Sequence, residues 1–117
     1  MIVDDEEGIR NLLKSFFEEQ GFPIVTARTG EEAIELVTKE KPSVILLDVT
    51  MPGMDGIVTL RKIREINPTV GVVMATSIQD EQTTQQAADL GAHAYVLKPF
   101  DLQYLQLVVL SRLRVAS

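Results

Sequence analysis

Apolar residues in this chain recur at two different periods, and the two periods take turns along the sequence. Met1–Val3, Val44–Leu47, Val70–Ala75 and Ala94–Leu97 are short apolar runs, and Phe22–Ala27 carries the β-favouring Ile24, Val25 and Thr26. Each is followed by a stretch whose apolar residues fall three and four apart, as in Ile9, Leu12, Leu13, Phe16 and Phe17. A continuous apolar run marks a strand covered on both faces, and the wider spacing marks one stripe of a helix. Five strand–helix units in succession predict right-handed βαβ crossovers, a parallel sheet and helices on both of its faces. In such a sheet the ligand site lies beyond the carboxyl ends of the strands. The fold class therefore says where to look for chemistry.

The helix boundaries carry their own signals. Gly21 ends the first helix as a C-cap. Thr29, followed by Glu31 and Glu32, caps the second, which turns Ala33, Ile34, Leu36 and Val37 inward until Pro42 stops it. Pro52-Gly53 suits a type II turn, and Asp55-Gly56 reads as turn and cap. The third helix turns Ile57, Leu60, Ile63 and Ile66 inward and breaks at Asn67-Pro68. Asp80–Leu90 is the fourth helix, closed by Gly91. Asp101 caps a fifth that reaches to about Val115. No repeat, low-complexity tract or linker divides the chain, so residues 1–117 are expected to form one domain, without an output domain.

Composition excludes several classes. Hydrophobic residues make up 45% of the 117, enough for a packed core. No apolar stretch approaches the roughly 20 residues of a membrane span, and no secretory signal is visible. The absence of cysteine removes disulfides and every thiolate site and fits a cytoplasmic location. A net charge of −6 with 11 scattered basic residues argues against direct nucleic-acid binding, and Arg112 with Arg114 is too small a patch to reverse that.

Strand ends deliver a short set of polar residues: Asp4 and Asp5 from the first, Asp48 from the third, Thr76 and Ser77 from the fourth, Lys98 from the fifth. Carboxylates gathered in one pocket repel. Two charges ~4 Å apart cost roughly 4 kcal/mol at an effective dielectric near 20, so three such pairs approach about 12 kcal/mol. One lysine relieves part of this. A divalent cation relieves more, and oxygen ligands without His or Cys point to Mg2+, with Mn2+ as a substitute. Acids, Mg2+, an ammonium and a hydroxyl together suit phosphoryl transfer, with a carboxylate able to serve as nucleophile.

The motifs VDDEE, LLDVTMPGMDG, MATS and LKPF, in that order and at these spacings, resemble the response-regulator receiver domain of bacterial two-component systems, a (βα)5 flavodoxin-like fold. The resemblance covers essentially the whole chain and implies an α/β architecture with strand order 2-1-3-4-5. It implies that Asp48 is the phosphoacceptor, taking a phosphoryl group from a phosphohistidine of a sensor histidine kinase or phosphotransfer protein. It also implies that Asp5 binds Mg2+ directly, that Asp4 acts mainly through metal-bound water, and that the Thr50 carbonyl is a further ligand. Lys98 would pair with the phosphoryl oxygens, the Thr76 hydroxyl would turn toward them, and Tyr95 would rotate inward behind it. The Lys98–Pro99 bond is expected to be cis. Such a domain signals rather than turns over a substrate, while assisting its own phosphorylation and dephosphorylation.

Each of these residues has a plainer reading. Asp4 to Glu7 could simply cap the first helix, and for Glu6 and Glu7 that is the reading adopted. Lys98 could reach solvent, Thr76 could be a β-branched strand residue, and Tyr95 could be core. His93 reads as a surface loop residue. A haloacid-dehalogenase-like phosphatase would want a second Asp at position 50, where this chain has Thr. A flavin carrier would not place acids in the phosphate loop. A scaffold without phosphorylation would not need Asp5, Asp48, Thr76 and Lys98 together.

Two further expectations concern dynamics and partners. Helix four has few large apolar residues, so it is the expected moving part. Helix five places Leu102, Leu105, Val109 and Leu113 on one face, with Tyr104, Leu107, Val108 and Leu110 around the rest, which suggests a homodimer or effector docking on the helix 4/strand 5/helix 5 surface. Thr50 and Ile78 would govern water access to the phosphoryl group, and the branched, apolar Ile78 suggests slow hydrolysis. Finally, Met1-Ile2-Val3 is shorter than the common strand of ~5–6 residues. Receiver domains usually have more residues ahead of the acid pair, as if the beginning here had been trimmed. A short first strand should leave part of its neighbours' edges unpaired.

Overall fold

The computed structural model describes the backbone of residues 1–51, 53–77 and 80–116 and the side chains of these as far as Leu113. Five strands alternate with five helices: β1 (Ile2–Val3), α1 (Glu7–Glu19), β2 (Thr26–Ala27), α2 (Gly30–Glu40), β3 (Val44–Asp48), α3 (Gly56–Ile66), β4 (Gly71–Thr76), α4 (Glu81–Asp89), β5 (Ala94–Leu97) and α5 (Leu102–Ala116). The strands form one parallel sheet in the order β2-β1-β3-β4-β5. Chain order therefore reverses between β1 and β3, and that is the switch point at which open α/β sheets bind ligands.

Caps form as the sequence predicts. Thr29 accepts from Glu32 N at 3.1 Å, Asp55 from Val58 N at 2.9 Å and Asp101 from Gln103 N at 3.0 Å. Gly21 (φ 90°) and Gly91 (φ 79°) take the left-handed conformation past the ends of α1 and α4. Pro52, and with it the type II turn, lies outside the described residues.

Two apolar layers sandwich the sheet. Val3, Ile45, Leu47, Val72 and Met74 point toward α2, α3 and α4. Ile2, Leu46, Val73 and Val96 point toward α1 and α5, onto Leu13, Phe17 and Leu105. That alternation along each strand is the period of two.

Some outward placements differ from the periodic reading. Leu12 is 52% exposed and Ile66 is 44% exposed, although both fall on the apolar stripe of their helix. A stripe names a direction, and the sheet covers only its centre. β2 is also shorter than Phe22–Ala27. Only Thr26 and Ala27 pair, because β1 offers them only Ile2 and Val3. Short β1, as expected, limits its neighbour.

Candidate functional site

Strand register assembles the acids. Val3 lies opposite Leu47, so the next step on each strand sets Asp4 beside Asp48 at the switch point. Both are buried, at 3% exposure each. Asp48 Oδ1 accepts from Thr50 N at 3.2 Å. Asp4 Oδ1 accepts from Glu6 N at 2.9 Å, which turns the chain from β1 into α1. Arg10 reaches back from α1 and donates to the Asp4 carbonyl at 2.8 Å.

Lys98 crosses the end of β4 to reach these acids. Its Nζ donates to Asp4 Oδ2 at 2.8 Å and lies 3.3 Å from Asp48 Oδ2 and 3.8 Å from Glu6 Oε1. Lys98 N also donates to the Thr76 carbonyl at 2.8 Å, which ties the end of β5 to the end of β4. The Lys98–Pro99 bond is cis. The Thr76 side chain is buried at the end of β4, level with Lys98's backbone.

Electrostatics follow from burial. Desolvation pushes the Asp48 carboxyl up to about 6, the Asp4 charge pushes the same way, and Lys98 and the Thr50 amide pull against both. Burial pulls the Lys98 ammonium down, but its bond to Asp4 and the Asp48 charge outweigh that and hold it above its ordinary value. A buried carboxylate held near 6 exchanges its proton close to neutrality, as groups at functional sites often do.

The donor set fits a hard cation. Carboxylate oxygens of Asp4, Asp5 and Glu6 lie within 4.8 Å of one another. With Asp48 on the other side of Lys98, three carboxylates, those of Asp4, Glu6 and Asp48, lie within 4.0 Å of one ammonium, and all offer oxygen. Glu6 lies within this group by distance and begins α1 as read. It occupies the N-cap position of α1 but makes no side-chain cap bond. Its run of four acids gives no local signal of which one turns back. Glu7 does sit in the first turn of α1, as read.

Of the remaining candidates, Thr50 is exposed beside Asp48, and Tyr95 is half-buried against the α2/α3/α4-side core. The Tyr95 hydroxyl is buried and has no hydrogen-bond partner among the described residues. His93 is exposed, with Nε2 3.1 Å from Ser111 Oγ. Ile78 lies outside the described residues.

A region just beyond the site, lined by Thr50, Met51, Asp55, Arg61, Thr83 and Gln86, forms an open cleft of about 440 Å3 between α3 and α4. No helix among the described residues is long and apolar enough to cross a membrane.

Comparison with known proteins agrees with this geometry. The sequence profile of the response regulator receiver domain matches residues 1–110. Sporulation initiation phosphotransferase F of Bacillus subtilis is 38% identical over 106 residues, covering 91% of this chain and 86% of that protein. Regulatory protein AtoC of Escherichia coli is 38% identical over all 117 residues, which span only 25% of its length. Among solved structures, a CheY-like receiver domain protein from Methanospirillum hungatei superposes with a TM-score of 0.94 at 26% identity, over 97% of this chain and 90% of that one. A chain of the CheX–CheY–BeF3–Mg2+ complex from Borrelia burgdorferi gives 0.88 at 34% identity, over 94% and 84%.

Proposed function

The chain belongs to the response regulator receiver family of two-component signalling, and from that premise we propose that Asp48 is its phosphoacceptor. One observation carries the assignment: a carboxylate buried at the end of β3, held near 6, 3.3 Å from an ammonium. A carboxylate oxygen of Asp48 bonds to phosphorus as the P–N bond of a phosphohistidine breaks, and the electron pair returns to the imidazole. Lys98, already between Asp4 and Asp48, turns its charge to the phosphoryl oxygens. The Thr76 hydroxyl approaches the same oxygens from the end of β4.

Asp4, Asp5, Asp48 and the Thr50 carbonyl are the proposed holders of Mg2+, with Glu6 at the edge. Mg2+ there would supply neutralisation of the phosphoryl charge. The complex from Borrelia burgdorferi, which contains Mg2+ and BeF3, supports this choice of ion. The same residues assist loss of the group to water.

The proposed partners are a histidine kinase or phosphotransfer protein and, on the α4–β5–α5 face, an effector or second copy. Among the described residues, Leu97, Tyr104 and Leu107 are the exposed large apolar residues of that face. Residues 1–117 are taken as one receiver domain acting in the cytoplasm.

Incubation with Mg2+ and acetyl phosphate, followed by intact mass measurement, tests the assignment. One phosphoryl adduct is expected on the wild type and none on Asp48→Ala. An adduct on both refutes Asp48. The Thr76→Ala variant should still be phosphorylated but should lose phosphorylation-dependent partner binding.

A further inference from the structure

Of the four methionines, three are shut away from water: Met1 is 8% exposed, Met51 6% and Met74 0%. Met54 is the exception. It is half-buried in the loop between β3 and α3. A thioether that meets solvent is the one an oxidant reaches first.

Met54 holds that loop against the start of α2. Its Sδ and Cγ lie 3.1 and 3.2 Å from where a Cβ on Gly30 would stand, and Thr59 Oγ1 crowds the same point. Thr59 is fully buried, and its hydroxyl already donates to the Asp55 carbonyl at 2.8 Å. The contact therefore offers neither space for another atom nor a hydroxyl hydrogen from Thr59. The loop is also short and tied to the acid site. Thr50 N donates to Asp48 Oδ1 at 3.2 Å, and Gly56 N donates to the Val49 carbonyl at 2.8 Å. Asp55, the next residue after Met54, caps α3 through Val58 N at 2.9 Å. What displaces Met54 thus pulls on the segment that carries Thr50 beside Asp48.

We propose that Met54 is a modification site for peroxides: its oxidation to the sulfoxide frees the β3–α3 loop from α2 and slows phosphorylation of Asp48. The second half rests on Asp48 being the phosphoacceptor. The sulfur lone pair takes one oxygen of hydrogen peroxide, the O–O bond breaks, and the other oxygen leaves as water. Sulfur is oxidised and the peroxide reduced. The product is a polar side chain where an apolar one was packed. Gly30 leaves its oxygen no room, so the oxygen turns to water and draws the side chain off α2. Methionine sulfoxide reductases reverse the step.

The test adds hydrogen peroxide to the wild type and to Met54→Leu, which keeps an apolar side chain of nearly the same volume. Peptide-resolved mass spectrometry gives the oxidation rate of each methionine. Amide exchange at Thr50 and Gly56 reads the loop, and Mg2+ with acetyl phosphate gives phosphate uptake. Met54 should oxidise about tenfold faster than any of the buried three. In the singly oxidised wild type, exchange at Thr50 and Gly56 should quicken and uptake should slow about tenfold. A methionine sulfoxide reductase should restore both, and peroxide should change neither in Met54→Leu. Oxidation of all four methionines at one rate overturns the proposal. So does unaltered exchange or uptake in the Met54 sulfoxide, or an equal loss in Met54→Leu. An unoxidised chain that takes up no phosphate refutes Asp48 alone, and the oxidation rates and amide exchange still decide Met54.

Discussion

Replacing Asp48 by Asn should make the unphosphorylated domain more stable at neutral pH. Burial holds the Asp48 carboxyl at about 6 in the folded chain, against 3.8 ordinarily. Between about pH 4 and 6 the folded state therefore keeps a proton that the unfolded state has lost. Stability falls as pH rises through that window and stays level above it. A shift of about two units is worth about 3 kcal/mol, and water at the mouth of the cleft screens this to roughly 1–2 kcal/mol. Asn has nearly the same shape, keeps an oxygen for the Thr50 amide and brings no charge into the site.

Urea unfolding in the presence of a chelator would measure it. Asp48→Asn should exceed the wild type by roughly 1–2 kcal/mol at pH 7.5, and the gap should close near pH 4. Added Mg2+ should narrow the gap at pH 7.5, because the wild type keeps the carboxylate that favours the ion, and ligand binding to the folded state stabilises it. A gap of equal size at both pH values would mean that the carboxylate is not held up by its surroundings, and would remove the argument that it exchanges its proton close to neutrality.

Three other outcomes follow from the same contacts. Gly56→Ala would drive a methyl group into the Asp48 carbonyl and to 2.6 Å from Val49 Cα; overpacking against backbone should cost about 1–3 kcal/mol in denaturant unfolding and slow uptake of phosphate from acetyl phosphate. Arg64→Ala would release the carbonyls of Val70 (2.6 Å), Leu90 (2.7 Å) and Gly91 (2.9 Å), costing roughly 2 kcal/mol and speeding amide exchange in the turn after α4. The Met1 amine is lowered by burial from 8.0 to about 6, so between those values the unfolded chain holds the extra proton and stability rises with pH. Set against the fall from Asp48, this puts a minimum of stability near pH 6, and Nα-acetylation should abolish the rise on its alkaline side.

How much of this was legible depended on how local each signal was. The five units, their caps and the strand-end acids are local, and the sequence carries them. Strand length is a property of a pair. Phe22–Ala27 has the composition of a six-residue strand, yet β2 is only as long as β1 allows. Leu12 and Ile66 show the same limit for helices, because period gives a direction and the neighbour decides the width that is covered. Glu6 was less legible for a different reason. Its neighbour Lys98 is 3.8 Å away in space and follows the last strand of the sheet, and nothing in the run DDEE marks which acid lies beside it.

Charge added at Asp48 has few ways to reach the surface, because burial fixes most of what surrounds it. All six residues of β4 are buried, as are Ile45–Asp48 of β3, and close-packed strands do not shift singly. β5 differs: only Val96 is buried. α4 has one buried residue, Ala87, and the turn after it is pinned at Leu90 and Gly91 by Arg64. Under the proposed switch, α4 moves about that pinned end and Tyr95 moves beneath it. The Tyr95 hydroxyl, buried without a partner among the described residues, makes the inward position costly by roughly 1–3 kcal/mol. Under that proposal the cost would bring the two positions close in free energy, as a switch requires. Tyr95→Phe removes the cost without emptying the space, so it should raise unfolding free energy by about 1 kcal/mol and increase partner binding before any phosphorylation. A less stable Phe variant would mean that water satisfies the hydroxyl, and Tyr95 would then hold no such balance.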